Sequence, residues 1–188
     1  MKIKSLKTLT LFLFLLSPSI LPAQNKTIVG FNLTTNYDYY TTIKPEAGLI
    51  FEKQLTTHSG FETGINFRTY QWELYVLINN QSYYPLISER YISIPLSYKY
   101  YTKIVNASLG ITYDYYVGWS QKNSSIDVTN FTKTDNYYLG LLAKISKPIR
   151  LDQDLVIEPE LKANILLIPS LIEYYGLGIT VRFNLNKD

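Results

Sequence analysis

Eight stretches of this chain alternate apolar and polar residues with a period of two. Successive side chains of a β-strand point to opposite faces, so this period predicts strands and not amphipathic helices. Tyrosine, present 18 times, and the β-branched residues favour the same assignment. The eight predicted strands are Thr27–Thr35, Pro45–Gln54, Gly60–Trp72, Tyr91–Tyr101, Val105–Gly118, Tyr137–Ser146, Leu155–Ile165 and Ile172–Asn184.

In most of these strands one parity is apolar or aromatic, and the other is small, polar or charged. In the fifth predicted strand, Leu109 and Ile111 alternate with Gly110, Thr112 and Asp114. Across the chain the polar parity carries five acids and five bases, which are Glu52, Glu62, Asp114, Glu158, Glu160, Arg68, Lys99, Lys144, Lys162 and Arg182.

Two architectures use this alternation in opposite ways. The charged parity faces water in a soluble barrel or sandwich, and it faces the interior in a membrane barrel. A basic residue facing lipid at mid-depth costs about 2–4 kcal/mol, and the whole stability of a domain is only about 5–15 kcal/mol. In a membrane barrel the charged residues must therefore point inward, where equal numbers of acids and bases can form ion pairs.

The lengths of the predicted connections favour the membrane barrel. Long connections on one side of a barrel and short turns on the other are typical of outer-membrane proteins. The connections are 36–44, 73–90 and 119–136 on the long side, and 55–59, 102–104 and 147–154 on the short side. The seventh connection, around Pro169, departs from this pattern because it is tight. We therefore predict an all-β fold, an eight-stranded antiparallel up-and-down transmembrane β-barrel.

Aromatic residues are frequent near the ends of the predicted strands. The amphipathic rings of tyrosine and tryptophan favour the two membrane–water interfaces. The placement of aromatic residues near the strand ends therefore predicts two aromatic girdles. The ring residues near the long connections are Tyr39, Tyr40, Tyr70, Trp72, Tyr91, Tyr113, Tyr115, Trp119, Tyr137, Tyr174 and Tyr175. Those near the short turns are Tyr98, Tyr100, Tyr101 and Phe183.

The first residues have the pattern of a secretory signal. Lys2, Lys4 and Lys7 precede an apolar run at Leu9–Leu16, which is much shorter than the roughly 20 residues that a membrane helix needs. We predict cleavage after Ala23, so that residues 1–23 are a signal peptide and residues 24–188 form the barrel domain. The barrel would then be exported to the outer membrane.

Charge and composition exclude several functional classes. Removal of the three signal lysines from a chain with 18 basic and 15 acidic residues leaves no basic surplus, so we expect no nucleic-acid partner. The sequence contains no cysteine, which excludes disulfides and thiolate metal sites. His58, the single histidine, lies in a short turn on the predicted periplasmic side, whereas a barrel hydrolase would need its histidine near a serine and an acid at the outer rim. We therefore predict no catalytic site, metal or cofactor.

Two prolines and two neighbouring acids give more local expectations. Pro95 and Pro159 lie inside predicted strands, where each removes one ladder hydrogen bond, so we expect a bulge or irregular pairing at both. Glu158 and Glu160 flank Pro159 on the interior parity. They could hold a cation, or they could be neutralised by Lys162, Arg182 or Arg68, and the second alternative is favoured because buried charges are usually paired.

Three short segments resemble a known family. These are Arg90–Tyr100 (RYISIPLSYKY), Pro45–Leu49 (PEAGL) and Glu62–Phe67 (ETGINF). They resemble strands of the outer-membrane β-barrel domain proteins of Bacteroidetes, the porin-like group that includes the PorT type. The resemblance implies a barrel fold and an outer-membrane location, and it implies no single activity.

The leading hypothesis is a non-enzymatic outer-membrane protein with a filled interior. It would contact outer-membrane lipid and would bind protein partners through the loops 73–90 and 119–136. The alternatives are a small porin or transport channel, a soluble lipocalin-like lipid carrier with the apolar parity inside, and an enzyme built on the barrel. The sequence specifies neither a ligand nor an oligomeric state.

Overall fold

A computed structural model describes residues 26–38, 44–122, 128, 136–168 and 172–185. Within these ranges there are eleven strands. A search of the same residues found no helix with the length and apolarity needed to cross a membrane. The strands are β1 (Thr27–Asp38), β2 (Lys44–Gln54), β3 (Ser59–Glu73), β4 (Val76–Ile78), β5 (Gln81–Tyr83), β6 (Leu86–Tyr101), β7 (Asn106–Gln121), β8 (Tyr137–Ser146), β9 (Ile149–Arg150), β10 (Leu155–Ile168) and β11 (Ile172–Asn184).

Eight long strands form a closed antiparallel ring. Each of them pairs with its neighbours in chain order, in the sequence β1, β2, β3, β6, β7, β8, β10 and β11. The ring closes because β11 pairs both with β10 and with β1, for example at Phe31 and Val181. This topology confirms the predicted all-β, eight-stranded up-and-down barrel.

Three short strands lie in the connections. The β4–β5 hairpin follows β3, and its turn residues Asn79 and Asn80 have φ values of 50° and 63°, a left-handed conformation that asparagine tolerates better than most residues. Since β3 continues to Glu73 and β6 begins at Leu86, the predicted loop 73–90 is wrong in extent. Most of its residues are in strands. The loop 119–136 lies mostly outside the described residues.

The apolar parity faces outward and the charged parity faces inward. Leu109, Leu177 and Ile179 are each more than half exposed on the outer surface, whereas the interior parity buries Glu52, Arg182 and their neighbours. Soluble monomers rarely expose contiguous apolar patches larger than a few hundred Å². The lipocalin-like alternative required the reverse orientation, and this arrangement contradicts it.

Of the two outcomes expected at the prolines, a bulge is absent, and irregular pairing is present at both. The strand register is unchanged through Pro95 and Pro159, and the register shifts lie at Arg90/Tyr91 and near Leu166/Ile168. Pairing with β3 is interrupted opposite Pro95, and the Thr63 hydroxyl donates a 2.8 Å hydrogen bond to the Pro95 carbonyl. Pro159 faces the gap between β8 and β9, where the missing N–H costs no ladder hydrogen bond.

Candidate functional site

The interior of the barrel has two ends of different character. We call the end with the connections 55–58, 102–105 and 147–154 the turn end, and the opposite end, which carries the β4–β5 hairpin, the loop end. From the turn end to the loop end, the interior holds an open vestibule, two ionic clusters and a group of aromatic rings. Each layer is formed by side chains of the inward parity.

The turn-end cluster comprises the ionic groups nearest the vestibule. Arg182 on β11 lies at its centre and contacts three glutamates. Its Nε atom is 2.8 Å from Oε2 of Glu158, its Nη2 atom is 2.6 Å from Oε2 of Glu62, and its Nη1 atom donates to Glu52. The members of this cluster are Glu52, Glu62, Lys99, Lys144, Glu158, Glu160 and Arg182.

Lysines complete the turn-end cluster. The Lys99 ammonium is 2.8 Å from Oε2 of Glu158 and 3.1 Å from Oε2 of Glu52. Lys144 pairs with Glu62 and lies 3.8 Å from Oε2 of Glu160. Each carboxylate therefore has at least one cation within ion-pair distance, and this attraction offsets part of the desolvation penalty of the buried charges.

The loop-end cluster consists of a second set of ion pairs, Glu46 with Lys162 and Arg68 with Asp114. The Lys162 ammonium is 2.5 Å from Oε2 of Glu46. The Arg68 guanidinium also donates to the hydroxyl of Tyr174 and lies 4.4 Å from the centre of its ring. This cluster is buried to the same degree as the turn-end cluster.

The structure places all ten residues of the predicted charge network in the interior. Each of them has an ion-pair partner. Sequence reasoning missed Lys44 and Glu46, although both share the parity of Glu52 on β2. It also missed Glu89, which is buried at the loop end because β6 begins five residues before the predicted strand.

The acids on either side of Pro159 are neutralised. Glu158 contacts Arg182 and Lys99, and Glu160 lies near Lys144 and accepts a 3.1 Å hydrogen bond from Thr180. Of the three alternative partners, Arg182 is the one that pairs with Glu158, whereas Lys162 and Arg68 belong to the loop-end cluster. Among the described residues, no group of three or more His, Asp or Glu side chains is arranged to hold a metal ion.

Several rings assigned to the outer girdle instead close the interior at the loop end. Tyr91 and Tyr174 are almost fully buried, and they pack with Tyr138, Leu166 and Tyr70. Tyr70, Tyr91 and Tyr174 were therefore placed on the wrong face. The same holds at the turn end for Tyr101, which lines the vestibule and donates a 2.6 Å hydrogen bond to Glu52. The girdle residues that do face outward are Tyr113, Tyr115, Tyr137 and Tyr175 at the loop end and Tyr98, Tyr100 and Phe183 at the turn end, while Tyr39 and Tyr40 lie outside the described residues.

The turn end opens into a vestibule of about 450 Å³. Glu52, Glu158 and Arg182 lie among its lining residues, and the turn residues form its rim. His58 is on this rim, where its Nδ1 atom is 2.8 Å from the Thr57 hydroxyl and its ring stacks on Tyr100. No interaction of His58 with a serine and an acid is present among the described residues, so the catalytic arrangement of a hydrolase is not formed there.

Solved structures with the same fold include two bacterial proteins. The outer membrane protein OprG from Pseudomonas aeruginosa is 10% identical, with 85% of this chain and 93% of that chain covered and a TM-score of 0.55. Neisserial surface protein A is 10% identical, with 85% and 96% covered and a TM-score of 0.50. The similarity at these identities shows the fold alone. No family model and no curated protein sequence matches the chain.

Proposed function

We propose that this chain is an integral outer-membrane β-barrel protein that acts through its loop end and does not conduct solutes. The observation that carries this proposal is the division of its surfaces, with apolar side chains outside and paired charges inside. An outward apolar belt is stable in lipid, and a paired interior needs no water. The shared fold with a protein named as an outer membrane protein supports the same location.

Export and family membership belong to this proposal. Residues 1–23 would be removed as a signal peptide, leaving a chain that begins at Gln24. The segments Arg90–Tyr100, Pro45–Leu49 and Glu62–Phe67 support a relationship to the porin-like barrel proteins of Bacteroidetes.

The β4–β5 hairpin is the proposed contact surface for a partner. Residues 74–86 contain no charged side chain, and Tyr75, Leu77 and Tyr84 are each more than half exposed. The rings of Tyr75 and Tyr84 are 5.6 Å apart, so they present one continuous aromatic surface. Exposed aromatic residues without charged neighbours are typical of the centre of a protein interface.

Chymotrypsin treatment of intact cells tests the location and the orientation together. The protease cleaves after aromatic residues and leucine, so we expect cleavage within residues 75–84 of protein produced in a Gram-negative host. The control cleavage site is Leu151, an exposed residue of the turn end. It should be cleaved only after the outer membrane is permeabilised. Peptide mass spectrometry reports both sites, and cleavage at Leu151 without cleavage of the hairpin in intact cells would contradict the proposed orientation.

Conductance separates the filled barrel from the small-pore alternative. Cavities of only about 20 Å³ lie beside the loop-end cluster and beneath the aromatic rings, close to the space that one water molecule needs. We therefore expect no steady open events from the protein in planar bilayers. The variant Glu62→Gln should also show no channel openings, because the other side chains still fill the interior. Reproducible single-channel steps from the unmodified protein would favour the pore.

A further inference from the structure

The vestibule at the turn end has features of a ligand site that the proposed barrel function does not use. Its volume of about 450 Å³ falls within the range of roughly 300–1,000 Å³ that small-molecule sites occupy. It is closed on the inner side by the turn-end cluster and opens at the mouth of the barrel. The cavity is therefore open to a solute from the turn end.

The rim of the vestibule carries three cations that have no ion-pair partner among the described residues. Lys26, Lys103 and Arg150 line the cavity, and none of them makes an ion pair with another described residue. The glutamates on the inner side of the vestibule are already paired with Arg182 and Lys99. Asp154 also lines the cavity, so the mouth has three cations against one acid and offers a net positive field to an anionic group.

One buried polar atom of the lining has no partner among the described residues. Asn106 is 3% exposed and lines the vestibule, and its Nδ2 atom donates a 3.0 Å hydrogen bond to Glu158. That bond fixes the amide orientation, because a carboxylate can accept and cannot donate. The Oδ1 atom, which has no hydrogen-bond partner, is therefore an acceptor that an N–H or O–H donor of a ligand would satisfy.

We propose that the vestibule binds a small zwitterion. Its phosphate or carboxylate group would lie against Lys26, Lys103 and Arg150, and its ammonium group would donate to Asn106 Oδ1. This chemistry is shared by free zwitterionic metabolites and by the headgroup of an ethanolamine phospholipid.

The test is an NMR titration of the isotopically labelled full barrel in maltoside micelles with phosphoethanolamine. We expect saturable amide shifts at Asn106 and Arg150. Phosphocholine has the same phosphate and no N–H donor, so it should bind several-fold more weakly. If the same shifts occur in nanodiscs that contain phosphatidylethanolamine, without added phosphoethanolamine, the ligand is the lipid headgroup. If they do not occur in these nanodiscs, the ligand is a soluble zwitterion.

Matched double variants distinguish the site from general charge attraction. Lys103→Gln combined with Arg150→Gln should weaken binding about tenfold, because two charge contacts are lost. Lys53→Gln combined with Lys147→Gln changes the charge of the same end equally and leaves the vestibule lining intact, so it should bind as the unmodified protein does. Unperturbed spectra of β7 and β8 would show that each variant is folded. Absence of saturable shifts, or equal weakening in both double variants, would overturn the proposal.

Discussion

Replacing Arg182 with methionine is expected to lower the free energy of unfolding by about 3–5 kcal/mol, the usual loss when one partner of a buried ion pair is removed. The guanidinium contacts Glu52, Glu62 and Glu158 at once and is 3% exposed. Without it, Lys99 and Lys144 are the cations left to balance the four carboxylates of the turn-end cluster.

Two further variants show whether the loss comes from stranded carboxylates. Arg182→Lys keeps the positive charge, so its loss of stability should be smaller than that of Arg182→Met. It should still be less stable than the unmodified protein, because an ammonium cannot contact three carboxylates as the planar guanidinium does. Adding Glu62→Gln to the methionine variant removes one stranded charge and should restore part of the stability. The measurement is equilibrium unfolding in urea from lipid vesicles, with the folded fraction read from the mobility of unboiled samples.

Lys53→Met is the control for this series. Lys53 is exposed at the end of β2, and it makes a 3.2 Å hydrogen bond to Thr27. Removal of an exposed charge typically changes stability by no more than about 0.5 kcal/mol. If Arg182→Met were as stable as Lys53→Met, the turn-end cluster would not hold the barrel together.

The positions of the strands, and the face of the sheet that each side chain occupies, were predictable because both depend on local sequence. A period of two fixes which residues share a face, and the cost of a charge in lipid decides which face is inside. The same parity also places Tyr70 beside Arg68 in the interior. Tyr70, Tyr91 and Tyr174 lie near strand ends, but their parity, and not their nearness to a strand end, decides that they face inward.

Features that depend on pairing between distant strands were not predictable. The segment from Leu86 to Arg90 shows no alternation of apolar and polar residues, and it becomes strand because β3 and β7 pair with it on both sides. The specific ion-pair partners depend on register across the ring, so parity could place Lys162 inside but could not match it with Glu46. The vestibule likewise depends on three turns that lie far apart in the sequence.

Replacing Leu141 with arginine is the second substitution with a large expected effect. Leu141 faces outward in the middle of β8, between Ile111 on β7 and Ile165 on β10. If lipid covers this face, an arginine at mid-depth should cost about 2–4 kcal/mol. If water covered it, the arginine would be solvated and would cost almost nothing.

Leu151→Arg is the matched control. Leu151 is a leucine of similar exposure, at 58% against 47% for Leu141, but it lies in the turn between β9 and β10. An arginine there remains in water at the membrane surface. Its expected effect on stability is therefore within about 0.5 kcal/mol.

The difference in unfolding free energy between these two arginine variants, measured by urea titration in lipid vesicles, tests the central claim most directly. A loss of about 2–4 kcal/mol for Leu141→Arg, with Leu151→Arg close to the unmodified protein, is the result expected of a barrel whose apolar face meets lipid and whose charges face inward. Equal stability of the two variants would contradict a lipid-facing outer surface.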